Sequence, residues 1–162
     1  MNYSMIRYIL GKVIWIEGIL FLFPCLIALI FQEREGFIYL LFAAIGIFGG
    51  WLISGKPKDR SILQREGFVS VGLAWVVLSC FGALPLLVAG EVPTFIDGMF
   101  EIASGFTTTG SSILIDLEAV SHASLFWRAE TQWIGGMGVL LFLLMMAPSK
   151  SGGSHMNLMK AE

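Results

Sequence analysis

The sequence predicts an all-α integral membrane protein: a helix pair, then one repeat made of a helix, a re-entrant pore helix, a filter loop and a final helix. Of its 162 residues, 56% are hydrophobic and only 14% are charged, and the mean hydropathy is +0.80. Several apolar runs approach the roughly 20 residues that cross the hydrocarbon of a bilayer. A tract rich in glycine and hydroxyl groups interrupts these runs at residues 104–112.

The first two apolar spans lie within residues 1–54 and predict an N-terminal pair of transmembrane helices. Pro24 falls inside the first span, and we expect a kink there because proline lacks an amide hydrogen and clashes with the preceding turn. The second span contains Gly46-x-x-x-Gly50, a spacing of small residues that allows two helices to approach closely.

Basic residues mark two segments as cytoplasmic by the positive-inside rule, the loop at residues 55–67 and the tail at residues 149–162. They are Lys56, Lys58, Arg60, Arg65, Lys150 and Lys160. Segments on the same side are separated by an even number of crossings. Residues 68–148 therefore hold two crossings and one segment that enters the membrane and returns. The N-terminus is also predicted to be cytoplasmic, with the tip of the helix pair outside.

Within residues 68–148, a transmembrane helix comes first and another covers residues 124–147. Between them, residues 94–104 predict a pore helix about 16 Å long, half the thickness of the hydrocarbon. Thr94 and Asp97 have the spacing of a capping box at its start. This helix can enter the membrane but not cross it.

The loop at residues 105–112 has the composition of an ion filter. Thr107, Thr108 and Thr109 can supply stacked carbonyl and hydroxyl oxygens that replace the water around a cation. Gly110 permits a backbone conformation that a side chain disfavours. Polar non-helical backbone is tolerated at membrane depth only where protein buries it or where it lines a watery path. A packed polar turn is the alternative interpretation.

The segment at residues 89–123 has no lysine or arginine, which predicts an outer pore vestibule that attracts cations. Its acidic side chains are Glu91, Asp97, Glu101, Asp116 and Glu118. The negative C-terminal end of the pore helix would favour cations as well.

Three glycines of the last span, Gly135, Gly136 and Gly138, weaken the helix and predict either a gating hinge or a close-packing site. Glu17 lies near the middle of the first span, where an ionisable group is costly and is a functional candidate. A peripheral helix could instead tolerate Glu17 through a polar neighbour or by snorkelling of the side chain.

Arg128 and Glu130 lie two positions apart on the last span and therefore do not share a helix face. We expect each to pair with another segment, and Glu101 on the pore helix is the candidate partner of Arg128. This pattern is more typical of a structural brace than of an ion ligand.

Neither a phosphate-binding loop nor a nucleophile with its base is present, and His122 and His155 have no second ligand at metal-site spacing. We therefore predict no enzyme activity, no cofactor and no metal beyond the transported cation. Membrane lipid and that cation are the expected partners, and no nucleic acid is expected.

Several separate motifs follow one another between about residues 61 and 148. They are Arg65-Glu66-Gly67-Phe68, Phe81-Gly82-Ala83-Leu84-Pro85, Ser104-Gly105-Phe106-Thr107-Thr108-Thr109-Gly110, Phe126-Trp127-Arg128, and Thr131-Gln132-Trp133-Ile134-Gly135-Gly136-Met137-Gly138. Together they resemble the TrkH family of bacterial potassium uptake proteins, in the Trk/Ktr/HKT superfamily.

The resemblance implies four repeats around one pore, each with one filter glycine. It assigns Gly110 as the filter glycine of the first repeat, Thr108 and Thr109 as potassium ligands and Thr107 as their neighbour. It also implies a homodimer, a cytosolic nucleotide-binding regulatory ring and a place in the bacterial cytoplasmic membrane. The choice of potassium over sodium rests on this resemblance alone.

One repeat supplies a quarter of such a pore wall, and the sequence has no second filter tract. We expect a fragment of a longer chain, in which residues 149–162 lead to a second repeat and further pore repeats complete the wall. Assembly of four copies, or a nonconducting membrane interaction subunit, are the alternatives.

Overall fold

The computed structural model describes residues 3–55 and 64–146, with side chains over residues 3–55 and 67–138. Helices joined by loops make up these residues, and no strand occurs among them, in agreement with the predicted all-α class. The helices are α1 Tyr3–Leu20, α2 Leu22–Phe31, α3 Gly36–Ile53, α4 Gln64–Ala89, α5 Phe95–Phe106 and α6 His122–Met146. The predicted tail at residues 149–162 and most of the basic loop lie outside the described residues.

The first apolar span is interrupted near its proline, as predicted. The helix breaks at Phe21, between α1 and α2, because Pro24 cannot donate a hydrogen bond to the carbonyl of Leu20 and its ring crowds that carbonyl. The Phe21 side chain is fully buried at this break. Together α1 and α2 form one stretch of 29 residues.

Three stretches of the described residues are long and apolar enough to cross a membrane: Tyr3–Phe31, Gly36–Ile53 and Gly67–Ala89. Helix α6 is 25 residues long, which corresponds to about 37 Å. Its first half carries Arg128 and Glu130, and its side chains beyond residue 138 lie outside the described part. The fourth crossing at residues 124–147 stays a prediction.

Glycines allow α1 and α3 to pack with their backbones in contact. A Cβ atom on Gly46 would lie 2.7 Å from the Cα atom of Gly18, and one on Gly50 would lie 2.5 Å from the backbone nitrogen of Trp15. Gly11 of α1 faces α3 at equally short range. The predicted close contact through Gly46 and Gly50 is therefore confirmed.

An aromatic core joins the helix pair to α4, α5 and α6. The rings of Phe21 and Trp127 lie 4.5 Å apart, and Phe106 at the end of α5 lies 6.4 Å from Trp127. The Trp127 indole N–H donates to the carbonyl of Gly82 in α4 at 3.0 Å. Trp127 of α6 thus contacts the break between α1 and α2, α4 and the end of α5, and it buries a large apolar surface with its polar atom satisfied.

The tip of the helix pair caps the start of α6. The Glu33 carboxylate accepts hydrogen bonds from the backbone N–H groups of His122, at 2.8 Å, and Ala123, at 3.1 Å. The Phe31 ring stacks on the His122 ring at 4.0 Å. Burial acts to raise the pKa of Glu33, but the hydrogen bonds from His122 and Ala123 outweigh it, so the net pKa lies below its ordinary value.

Replacing Gly50 by alanine should destabilise the helix pair, because the added methyl would overlap the α1 backbone. We expect the free energy of unfolding to fall by about 1–3 kcal/mol in a mixed-detergent unfolding titration. Gly49→Ala is the matched control, since a Cβ at Gly49 meets nothing within 4 Å. Equal losses in the two variants would contradict close packing at Gly50.

The Glu33 cap should make stability depend on pH. Because the folded-state pKa is lowered, the stabilisation is present above the ordinary glutamate pKa and is lost as the pH falls through the folded-state value. Thermal midpoints of the wild type should therefore exceed those of Glu33→Gln near neutral pH and converge with them in acid. Glu35→Gln, two residues further along the same tip, removes a carboxylate that does not cap α6 and is the control. A pH-independent difference for Glu33→Gln would argue against the cap.

Candidate functional site

The half-membrane helix α5 begins at a side-chain cap. The backbone N–H of Asp97 donates to the Thr94 hydroxyl at 3.2 Å, and that hydroxyl donates to the Asp97 carboxylate at 2.6 Å. The predicted capping pair is therefore confirmed. The helix runs from Phe95 to Phe106, about 18 Å. Gly105, predicted to lie in the filter loop, is helical, and the loop begins at Thr107.

Glycines also seat α5 against its neighbours. A Cβ on Gly98 would lie 3.3 Å from the carbonyl oxygen of Ala83 in α4, and a Cβ on Gly105 would overlap the Thr131 hydroxyl of α6. The C-terminal turn of α5, including Phe106, is buried. Helix α5 therefore packs between α4 and α6, and this packing sets the position at which the following loop begins.

The loop turns its amide groups back toward the end of α5. The N–H groups of residues 107–110 donate to the carbonyls of Ala103, Ser104 and Gly105 at distances of 2.9–3.3 Å. All described peptide bonds are trans, and a trans peptide points its carbonyl opposite to its N–H. The carbonyls of residues 106–109 therefore point away from α5.

Two residues of the loop adopt left-handed backbone conformations. Gly110 has φ of 74° and Thr108 has φ of 58°. Glycine adopts this region at little cost, whereas a β-branched residue there is a genuine outlier. Such strained positions cluster at functional sites, where the surrounding structure holds them in place. A Cβ at Gly110 would have space, with the Gln132 amide nitrogen 3.9 Å away, so its requirement is conformational.

The threonine hydroxyls bond among themselves and to the backbone. The Thr107 hydroxyl donates to the Ala103 carbonyl at 2.8 Å and lies 2.9 Å from the Thr109 hydroxyl. The Thr108 hydroxyl donates to the Thr107 carbonyl at 2.7 Å. Within residues 3–55 and 67–138, no donor reaches the carbonyl oxygens of Thr108 and Thr109. These two oxygens are the open acceptors of the loop.

Side chains of α5 form hydrogen bonds with the returning segment of the loop, residues 111–113. The Ser104 hydroxyl donates to the Ser111 carbonyl at 2.7 Å. The Glu101 carboxylate accepts from the backbone N–H of Ile113 at 2.9 Å and from the Ser112 hydroxyl at 3.2 Å. Sequence reasoning missed the roles of Ser104 and Ser112, because their partners are set by the fold of the loop rather than by spacing.

Arg128 of α6 reaches the same loop. Its guanidinium forms an ion pair with Glu101, which confirms the expected partnership. A second nitrogen of the guanidinium lies 3.5 Å from the Gly110 carbonyl oxygen, at the limit of a hydrogen bond. The Gly110 oxygen therefore faces Arg128, unlike the oxygens of Thr108 and Thr109.

The predicted vestibule needs a correction at Glu101. This side chain has no exposed surface and is held by Arg128 and the loop, so it does not face open space. Asp97 caps α5, and its place in the vestibule stays a prediction. An acidic cleft of about 780 Å³ contains three of the predicted residues, Glu91, Asp116 and Glu118.

The tip of the helix pair contributes to the cleft as well. The acidic side chains that line the cleft are Glu33 and Glu35 of this tip together with Glu91, Asp116 and Glu118, and His122 lies beside them. Glu91 accepts hydrogen bonds from the backbone N–H and the hydroxyl of Ser121. The participation of Glu33 and Glu35 was not predicted, because it depends on a contact between segments about 90 residues apart.

The glycines of α6 differ in their surroundings. A Cβ on Gly135 would overlap the carbonyl group of Phe106, so this glycine is a close-packing site for the end of α5. A Cβ on Gly136 would lie 3.8 Å from the Thr108 methyl, its nearest neighbour. A Cβ on Gly138 would lie 3.4 Å from the Trp75 ring. A hinge at Gly136 or Gly138 stays a prediction.

Glu17 is fully buried in α1 beside Gly82. Neither carboxylate oxygen has a hydrogen-bond partner among the described residues. Burial of an ionised carboxylate in this state would be costly. The polar neighbour that the sequence analysis considered is therefore not found in the described part of the chain.

The fold and the loop together define a class: a multi-pass membrane protein in which a half-length helix and a polar, strained loop lie between longer helices. The family described as TrkH, cation transport protein, matches residues 35–162. The chain belongs to this family.

Relatives and a solved structure agree with this assignment. The Trk system potassium uptake protein TrkH of Escherichia coli strain K12 is 37% identical over 167 residues, which cover 100% of this chain and 34% of the relative. An uncharacterized cation transporter of Methanocaldococcus jannaschii is 33% identical over 139 residues, 84% of this chain and 29% of the relative. Both names describe transport proteins rather than enzymes.

The crystal structure of the potassium transporter TrkH from Vibrio parahaemolyticus superimposes with a TM-score of 0.84 at 29% identity. The match covers 94% of this chain and 33% of that structure. The chain thus spans about a third of the length of these relatives.

Gly135→Ala should weaken the packing of α6 against the end of α5, because the new methyl would displace the Phe106 carbonyl. We expect a lower thermal midpoint in detergent and a loss of about 1–3 kcal/mol, typical of overpacking. Gly136→Ala, with only the Thr108 methyl nearby, is the control and should retain the wild-type midpoint. If Gly135→Ala is as stable as that control, the close contact is not as described.

Proposed function

We propose that this chain supplies one repeat of a pore for potassium uptake, with the loop after α5 as one wall of the selectivity filter. The observation that carries the proposal is the direction of the backbone: four successive N–H groups donate to α5, so the opposite carbonyls face away from it. A row of carbonyl oxygens free of protein donors can replace the hydration shell of a cation.

Thr108 and Thr109 are the proposed potassium ligands, with Thr107 beside them. The carbonyl oxygens of Thr108 and Thr109 are open, whereas that of Thr107 accepts a hydrogen bond from the Thr108 hydroxyl. Gly110 acts through its conformation rather than its oxygen, which faces Arg128. It reverses the chain so that the residues after it return along α5.

The acidic cleft supports a cation rather than an anion as the transported species. Its five carboxylates face one histidine and no lysine or arginine. Such a cleft raises the local concentration of cations and repels anions. The tip of the helix pair lies on the same side, which fits the proposed orientation with this tip outside and the N-terminus in the cytoplasm.

The choice of potassium rests on relatives. The Escherichia coli and Vibrio parahaemolyticus proteins are named for potassium. Because this chain spans about a third of their length, further pore repeats are needed to complete the wall. A homodimer, a cytosolic nucleotide-binding regulatory ring and a place in the cytoplasmic membrane of a bacterium remain predictions from the family resemblance. A nonconducting membrane interaction subunit is the competing hypothesis.

Gly110→Ala tests the filter directly. Its φ of 74° is strained for alanine although space is available, so the change acts on conformation alone. Such strain costs about 1–3 kcal/mol, enough to lower the rate of rubidium or potassium uptake about fivefold or more. Uptake is measured in potassium-uptake-deficient bacteria that express the gene encoding this chain.

Gly72→Ala is the matched control, because a Cβ at Gly72 of α4 meets nothing within 4 Å and its helical conformation suits alanine. It should transport as the wild type does. Unchanged uptake in Gly110→Ala would contradict the filter assignment. Absence of uptake by a well-expressed wild type would favour the nonconducting subunit.

A further inference from the structure

We infer that Glu101 and Arg128 act as one positioning device that sets the ion selectivity of the filter. This inference rests on the proposed function and extends it to two side chains that touch no ion. The pair lies behind the loop, between α5 and α6, and both of its members contact the loop backbone.

Glu101 divides its carboxylate between two tasks. One oxygen accepts hydrogen bonds from the backbone N–H of Ile113 and from the Ser112 hydroxyl, and these bonds hold the returning segment of the loop. The other oxygen pairs with Arg128 and has no hydrogen bond besides that ion pair among the described residues. The side chain is completely buried, so Arg128 is what compensates its charge.

Arg128 connects this buried carboxylate to the loop at Gly110. Its guanidinium is planar and rigid, so a nitrogen that pairs with Glu101 fixes the direction of the others. One of them lies 3.5 Å from the Gly110 carbonyl oxygen. This contact holds that oxygen toward α6, at the residue whose left-handed conformation begins the return of the chain.

The two contacts bracket the strained part of the loop. On its α5 side, the amides of residues 107–110 are anchored by the helix end. On its far side, the anchors of the loop are Arg128 at Gly110, Ser104 at Ser111 and Glu101 at Ile113. Loss of the charged pair would free the peptide planes after Thr109 to rotate, and the spacing of the Thr108 and Thr109 carbonyls would no longer be fixed.

A selectivity measurement distinguishes a positioning role from a merely structural one. We would compare potassium and sodium uptake for Glu101→Gln, Arg128→Gln and Arg128→Lys in the gene that encodes this chain. Each should lower the ratio of potassium to sodium uptake about tenfold, the effect of losing one hydrogen bond to a charged group. Arg128→Lys keeps the charge but not the rigid fork, so it tests geometry separately from charge.

Asp116→Asn is the matched control, because it removes a carboxylate from the exposed cleft and leaves the pair intact. The cleft attracts potassium and sodium alike through their charge, so this variant should lower both uptake rates to the same extent and keep the wild-type ratio. If the Glu101 and Arg128 variants transport more slowly at an unchanged ratio, the inference is overturned and the pair is structural only. An unchanged rate and ratio would overturn it equally.

Stability supplies a second readout if a variant is poorly produced. Bound potassium should raise the thermal midpoint of the purified wild type over that in choline chloride, because a ligand stabilises the state that binds it. In Arg128→Lys, the mildest change, potassium and sodium should raise the thermal midpoint by similar amounts, so most of the potassium-specific increase should be lost. A full potassium-specific increase in Arg128→Lys would contradict the inference. A wild type with neither uptake nor a potassium effect would refute the proposed function itself.

Discussion

The hydrogen bonds between the loop amides and the end of α5 are the interaction on which the rest of the site depends. In hydrocarbon, a backbone that leaves the helix must still satisfy its polar groups. Here the N–H groups of residues 107–110 satisfy the last carbonyls of α5, and this leaves the carbonyls of Thr108 and Thr109 open on the opposite side. One constraint thus ends the helix and creates the surface proposed to bind the ion.

The helices around the loop hold it in place because they pack closely at glycines, without large side chains between them. Gly105 and Gly135 let α5 and α6 meet where a side chain would overlap the partner. The rings of Phe21, Phe106 and Trp127 pack together at the end of α5. The Glu33 cap joins the tip of the helix pair to the start of α6. These contacts join the N-terminal pair to α5, α6 and the loop between them.

The sequence predicted features that depend on neighbouring residues: the break before Pro24, the cap by Thr94, the close packing at Gly46 and Gly50, and the half-length of α5. Properties that depend on the fold were less accessible. Glu101 was predicted in the vestibule because it lies in an acidic segment, yet a helix buries one face, and Glu101 is on that face with Arg128. Glu33 joined the cleft through a contact between segments about 90 residues apart, for which the sequence carries no local signal.

The central claim is that backbone oxygens of this loop coordinate the transported cation. The most direct measurement is the anomalous scattering of thallium, a heavy substitute for potassium, in crystals of the full gene product. We predict thallium density within coordination distance of the Thr108 and Thr109 carbonyl oxygens, on the side away from α5. Density confined to the acidic cleft, or a filter position lined by other residues while these oxygens bond to protein, would contradict it.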